Sequence, residues 1–192
     1  ARLTLLCAAL AGCGEWDTAV EIEGPELPIG DGSALIFVDA MSAAGWLDRP
    51  PRDPPRAVTI ARPVRVDDPR AAIGTVAPTV HVSPGTDLRA EYAYTLDYSP
   101  LGGALARSTA TITLLREDYT REVAPARTFC LQREAEALRA SGLFAHVTPR
   151  EMLVFDDSGR PIDNDLRFAD EPARHKLLDL IGYLALMGRL LG

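Results

Sequence analysis

One stretch decides how the rest of the sequence is interpreted: LRFADEPARHKLLD, residues 166–179. Two acidic residues precede Pro172, and acids followed by proline are typical of the first turn of a helix. His175 and Asp179 are four residues apart, so a helix would place them one turn apart on a single face. An imidazole nitrogen and a carboxylate oxygen at that spacing can bind one zinc ion. The same spacing is also typical of a surface hydrogen bond, so on its own it leaves both interpretations open.

The composition indicates a globular protein. The chain has 192 residues, 47% of them hydrophobic, which is enough for one good core or two small ones. A net charge of −7 argues against nucleic acid as a partner, whereas an anionic small ligand would need only a local basic cluster. Three cysteines are too few for a disulfide framework, and the odd number fits a reducing compartment. No apolar run approaches the roughly 18 residues of a transmembrane helix.

The apolar segment 3–12 has two interpretations. Its last residues and Cys13 read LAGC, which is similar to a bacterial lipoprotein cleavage box and would make Cys13 an acylation site. An apolar run of ten residues with one preceding basic residue is a poor signal peptide. We therefore favour a buried helix over residues 6–12, with the lipid-anchored protein as an alternative.

Periodicity and turn residues predict the remaining elements. Alternation predicts a strand at 19–23, and Asp31 and Ser33 are suited to cap a following helix. The segment 49–56 holds four prolines, which exclude a helix or a central strand and indicate a linker at a domain boundary. The other predicted elements are a helix at 34–44, strands at 57–65, 77–82, 88–98 and 109–114, a helix at 131–141, and a strand that begins at 154.

Several motifs resemble one family in the same order along the chain. Residues 166–182 follow the pattern LRFxDExxRHKxLDxIG, which resembles the signature of the UDP-3-O-acyl-N-acetylglucosamine deacetylases, the zinc amidases of lipid A biosynthesis. The segments LCAALAG (6–12), GPELPIGDGSA (24–34) and VAPARTF (123–129) are similar to further motifs of that family. The chain is thereby identified as a divergent or incomplete member.

The resemblance implies an α/β (α+β) fold of two-layer sandwich domains, with helices packed between outer sheets. Residues 1–48 would be the remnant of a truncated first domain, 49–56 the linker, and 57–192 a nearly complete second domain. A cytoplasmic location is implied as well.

The resemblance also implies roles for individual residues. His175 and Asp179 correspond to zinc ligands, and Thr128 to the residue that hydrogen-bonds the substrate oxygen as negative charge develops. Phe129 and Lys176 correspond to contacts with the substrate, a UDP-3-O-acyl-N-acetylglucosamine-like ligand.

The sequence departs from the family at catalytic positions. The family's adjacent general base and third zinc ligand, a Glu-His pair, correspond to Thr4 and Leu5, and its orienting Asp corresponds to Tyr183. Leucine has no lone pair for a metal, and a threonine hydroxyl is too weak a base at neutral pH. We therefore expect little or no hydrolysis, and the alternative is a non-catalytic binding or regulatory homologue.

A third metal ligand could come from elsewhere in the chain. The candidates are Cys130, His146 and His81. Cys130 takes the place of a glycine in the family motif, and a buried inert thiol is the simpler interpretation of it.

Overall fold

The structure is a computed structural model that describes residues 2–49, 63–67, 79–83, 91–142 and 152–188. Short 3₁₀ and π-helical turns accompany the helices of these segments. In chain order the helices are α1 (Arg2–Gly12), α2 (Leu35–Ala43), α3 (Arg116–Asp118), α4 (Gln132–Ala140) and α5 (Glu171–Ala185).

The strands form two sheets. The larger sheet is antiparallel in the order β1-β2-β3-β4, and a parallel pair, β5 and β6, forms the smaller one. Their bounds are β1 (Val64–Asp67), β2 (Thr79–Ser83), β3 (Glu91–Leu96), β4 (Ser108–Thr113), β5 (Phe129–Leu131) and β6 (Leu153–Phe155).

One face of the large sheet carries the core. Tyr92 of β3 stands opposite Ile112 of β4, and both side chains are buried. The threonines that alternate with the buried residues of β4 are exposed, as expected for a sheet covered on one face only. Helix α5 covers that face with an apolar stripe that includes Leu177 and Ile181.

Helix α1 covers the other side of α5, so α5 lies between the large sheet and α1. The two helices approach most closely at Gly182, where a Cβ atom would stand 2.3 Å from the carbonyl oxygen of Thr4. Only glycine permits this separation, since real Cβ contacts are much longer. The resulting layers of sheet and helix confirm the α+β class.

Most of the predicted elements are confirmed to within a few residues. Helix α5 begins after Asp170 with Pro172 in its first turn, as its sequence indicated. Helix α2 begins where it was predicted, and the Ser33 hydroxyl accepts a hydrogen bond from the amide of Leu35. The predicted strand 77–82 is confirmed by β2, whereas most of the predicted strand 57–65 and nearly all of the linker 49–56 lie outside the described residues. The domain division stays a prediction.

The predicted strand at 19–23 is wrong. These residues belong to no sheet, and they are exposed, with Val20 at 46% and Ile22 at 50%. Alternation describes a side-chain pattern, but a strand also needs a neighbour for its backbone hydrogen bonds. No described strand lies beside this segment.

Within the described segments, every helix is too short or too polar to cross a lipid bilayer. Cys13, which the lipoprotein alternative would acylate, is fully buried behind α1. Burial raises the pKa of its thiol to about 11.

Candidate functional site

The imidazole of His175 is buried between α5 and the segment that precedes β5. Its Nδ1 lies 3.0 Å from the carbonyl oxygen of Ala126. A carbonyl only accepts hydrogen bonds, so Nδ1 carries the proton and Nε2 has a free lone pair. Burial lowers the pKa of His175, against the opposing effect of the Asp179 carboxylate, and this favours the neutral ring. A neutral imidazole oriented by a carbonyl is the usual state of a metal ligand.

Asp179 lies one turn beyond His175, as the spacing predicted. Its Oδ2 atom is 3.9 Å from His175 Nε2 and 3.2 Å from Lys176 Nζ. Two ligand atoms of a tetrahedral zinc ion stand roughly 3.4 Å apart. A small rotation of the Asp179 side chain would close the difference, so this donor pair fits two positions of a zinc ion.

Lys176 links the helix to an aromatic cluster. Its ammonium group lies 5.6 Å from the centre of the Phe129 ring, within the range of a cation–π contact. Phe129 in turn packs edge-to-face against Tyr98 and Phe155, with ring centres 6.3 and 5.9 Å apart. The two residues expected to contact substrate therefore touch each other.

Thr128 is held in place through its backbone. Its amide donates to the carbonyl of Gly32 at 2.8 Å, and its carbonyl accepts from the amide of Leu153 at 3.2 Å. A Cβ atom on Gly32 would stand 2.7 Å from Thr128 Cγ2, and Gly32 has a φ of +81°. The glycine-rich motif 24–34 therefore supports the backbone at Thr128.

Three site residues were not singled out from the sequence. Tyr94 faces α5, and its burial, together with the nearby Tyr98 and Asp179, raises its pKa to about 12, so the phenol remains a hydrogen-bond donor. Arg127 and Glu171 form a buried ion pair beside Thr128. The sequence contained two signals for these residues, the alternating tyrosines of β3 and the acidic residue at the start of α5. Only the fold brings them to one place.

The two residues expected at the positions of the family's Glu-His pair lie on α1. Thr4 and Leu5 are both buried, at 6% and 2% exposure, and Thr4 contacts Gly182. Tyr183 is 60% exposed, so most of its ring faces solvent.

A third metal ligand is not found in the parts of the chain that the structure describes, since no three His, Cys, Asp or Glu side chains there form a metal-binding group. Cys130 follows Phe129 in β5, and successive strand side chains point to opposite faces, so its thiol lies away from Lys176. Burial raises the Cys130 pKa to about 11, with Glu134 adding to the effect. The side chain of His81 and all of His146 lie outside the described residues.

Comparison with known proteins identifies the family of the chain. The family model described as UDP-3-O-acyl N-acetylglycosamine deacetylase (LpxC) matches residues 5–192. A UDP-3-O-acyl-N-acetylglucosamine deacetylase of Thermosynechococcus vestitus is 36% identical over 184 residues, covering 95% of this chain and 59% of the relative. The protein of the same name from Chlamydia pneumoniae is 34% identical over 184 residues, covering 96% and 61%.

The chain thus spans about three fifths of the length of these relatives. The family match extends over nearly the whole chain and includes Thr128, Phe129, His175, Lys176 and Asp179. This chain belongs to the UDP-3-O-acyl-N-acetylglucosamine deacetylase family.

Proposed function

We propose that this chain is a deacetylase-family protein of lipid A biosynthesis that binds a UDP-3-O-acyl-N-acetylglucosamine-like ligand in the cytoplasm and hydrolyses it little or not at all. The observation that supports this most directly is the contact cluster of His175, Asp179, Lys176 and Phe129. We also propose the domain division 1–48, 49–56 and 57–192.

The binding half of the site has suitable chemistry. Lys176 offers a positive charge that is one-third exposed, and a diphosphate is the part of a nucleotide sugar that such a charge would bind. The Phe129 ring beside it supplies an apolar surface for a sugar or acyl group. Both side chains start from ordered elements, α5 and β5, which fixes their separation.

Zinc is the cofactor expected for the family. His175 and Asp179 would hold the ion, which when bound would polarise the substrate carbonyl and acidify a water molecule. Thr128 would then lie on the β5 side of that carbonyl, where its hydroxyl could donate to the oxygen.

In the part of the chain that the structure describes, the site lacks two groups that hydrolysis requires, a general base and a third zinc ligand. A general base must accept the proton from the attacking water, and Thr4 cannot do this at neutral pH. Leu5 supplies no third ligand. Because both side chains are buried, this region also resembles a structural core. That observation favours the second candidate function, a non-catalytic binding or regulatory protein.

Lys176 is the only lysine in the chain, which permits a direct test of binding. An amine-selective acetylating reagent will modify Lys176 and the amino terminus, and peptide mapping separates the two. We expect UDP-3-O-acyl-N-acetylglucosamine at ten times its dissociation constant to slow the modification of Lys176 about tenfold by mass action. A separate sample that has not been treated with the reagent is mixed with zinc and the ligand and assayed for released acetate.

Two variants make the test specific. Phe129→Ala should weaken the protection of Lys176, whereas Phe168→Ala is the matched control, because Phe168 packs on Arg174 instead. Absence of protection at any ligand concentration would refute binding. Zinc-dependent release of acetate that is lost in His175→Ala would refute the loss of hydrolysis.

A further inference from the structure

We infer that the buried ion pair of Arg127 and Glu171 is a positioning device that sets Thr128 against the metal-ligand helix. The functional part of this inference rests on the proposed function, because Thr128 can hydrogen-bond a ligand only if the ligand's carbonyl binds beside it. The geometry itself can be tested without a ligand.

The pair is buried, and the Arg127 guanidinium makes four hydrogen bonds. Arg127 Nε donates to Glu171 Oε1 at 2.9 Å and Arg127 Nη2 to Oε2 at 3.2 Å, a two-pronged contact of fixed orientation. The backbone amide of Arg127 also donates to Oε1, at 3.0 Å. The side chains are 6% and 0% exposed. The remaining guanidinium donors reach Asn164 Oδ1 at 2.8 Å and the Asp165 carbonyl at 2.6 Å.

The pair joins the two elements that carry the site. Arg127 is the residue directly before Thr128, and Glu171 lies four residues, or one turn, before His175. The hydrogen bond from His175 Nδ1 to the carbonyl of Ala126 connects the same two segments a second time. Few rotatable bonds therefore separate Thr128 from the His175 ring.

Arg167 extends this network to the glycine-rich loop. Its amide donates to Glu171 Oε2 at 2.7 Å, and its guanidinium donates to Asp31 Oδ2 at 2.6 Å. Asp31 is the neighbour of Gly32, whose carbonyl accepts the Thr128 amide. The loop, β5 and the start of α5 are thus held by one set of charged side chains.

Burying two charges is a poor way to gain stability, because apolar residues of similar volume often stabilise a core equally well. The ion pair provides a fixed register, because a guanidinium and a carboxylate meet in one geometry. An apolar pair does not provide this register. We therefore assign Arg127 and Glu171 a positioning role.

The test compares variants of the pair by amide hydrogen exchange. Replacement of both residues, Arg127→Met with Glu171→Leu, removes the register and keeps the volume. Arg127→Lys and Glu171→Gln are the conservative alternatives if the double variant does not fold. The matched control is Arg174→Lys, because Arg174 is also paired on α5, with Asp170 and Glu122, but does not contact β5.

We expect the Thr128 amide to exchange at least about tenfold faster in the pair variants, while amides of β4 keep their parent rates. The Arg174→Lys control should leave Thr128 unchanged. Equal acceleration throughout the core, or none at Thr128, would overturn the inference and leave the pair as an ordinary stabilising contact.

A ligand measurement then separates the two proposals. In the parent, Thr128→Val should weaken binding of UDP-3-O-acyl-N-acetylglucosamine, and in the pair variant the same substitution should have no further effect. If the two effects instead add, the positioning role for binding is wrong. If the parent binds no ligand, the proposed function fails, while the exchange rates still decide whether the pair holds Thr128.

Discussion

At the scale of single residues, His175 is the group whose state is most constrained by its surroundings. It is buried, its Nδ1 donates to a backbone carbonyl, and its Nε2 faces Asp179. Burial lowers its pKa and thereby favours the neutral form. The unfolded chain, with an ordinary histidine pKa near about 6.5, binds the proton more readily.

This difference predicts how stability depends on pH. As pH falls below about 6.5, His175 in the unfolded chain gains a proton before the folded one does, so the free energy of unfolding decreases. We expect the stability difference between the parent and His175→Asn, measured by urea unfolding in chelator, to shrink from pH 7.5 to pH 5. The slope is at most about 1.4 kcal/mol per pH unit. A pH-independent difference would contradict the assigned state of the ring.

Cys130 offers a second prediction at this scale. With its pKa raised to about 11, few molecules hold the reactive thiolate at pH 8. In a Cys7→Ala/Cys13→Ala background, we expect iodoacetamide to modify folded Cys130 roughly a hundredfold more slowly than the same cysteine in urea. Equal rates in the two states would contradict the raised pKa and show an ordinary, accessible thiol.

The helical spacing was sufficient to predict that His175 and Asp179 share a face. It could not predict the carbonyl of Ala126 or the contact between Lys176 and Phe129, because these depend on segments about fifty residues apart. For the same reason, the sequence did not predict Tyr94, Arg127 and Glu171 as site residues. The family motif located the site, and the fold supplied its neighbours.

At the scale of elements, the main feature is the packing of α1 against α5. Helix α1 contains the family motif at residues 6–12. Gly182 permits this packing, since a Cβ there would overlap the backbone and the Cγ2 of Thr4. Helix α1 was predicted from the resemblance of residues 6–12 to a family motif, and its small residues Ala8 and Ala9 are fully buried.

We expect Gly182→Ala to destabilise the protein by about 1–3 kcal/mol, because α1 must move away from α5. Without this contact, replacing a glycine within a helix by alanine would stabilise the protein by about 1 kcal/mol. The sign of the change in the free energy of unfolding therefore distinguishes the two cases. Urea unfolding measures the change. Tyr183→Ala, at the exposed neighbouring position, is the control and should stay within about 0.5 kcal/mol. A stabilising Gly182→Ala would contradict the close approach.

The wrong prediction of a strand at 19–23 shows what a side-chain pattern alone does not predict. Val20 and Ile22 alternate with polar residues, which satisfies the side-chain rule for a strand. Pairing depends on a partner from elsewhere in the chain, and alternation carries no information about that partner. By contrast, β3 and β4 are adjacent in sequence and pair along their whole length, so their prediction required no distant information.

At the scale of the whole molecule, the chain belongs to the deacetylase family over nearly its whole length. The match runs over residues 5–192, and the layers of sheet, α5 and α1 are built from its motifs. Two zinc-type donors lie together on α5, and we propose that Thr4 and Leu5 take the places of the family's base and third ligand. We therefore propose a site that binds the ligand without hydrolysing it.

The zinc affinity of the purified, chelator-washed chain tests this claim most directly. It is measured by competition with a chromogenic chelator for the parent, His175→Ala and Leu5→His, each checked for folding by circular dichroism. We predict that the parent binds zinc weakly and His175→Ala not at all. Leu5→His should bind more than roughly a hundredfold more tightly than the parent, since even outer-shell changes alter affinity about 10–100-fold. About one tightly held zinc per parent chain, lost in His175→Ala, would show a complete three-ligand site and contradict the account.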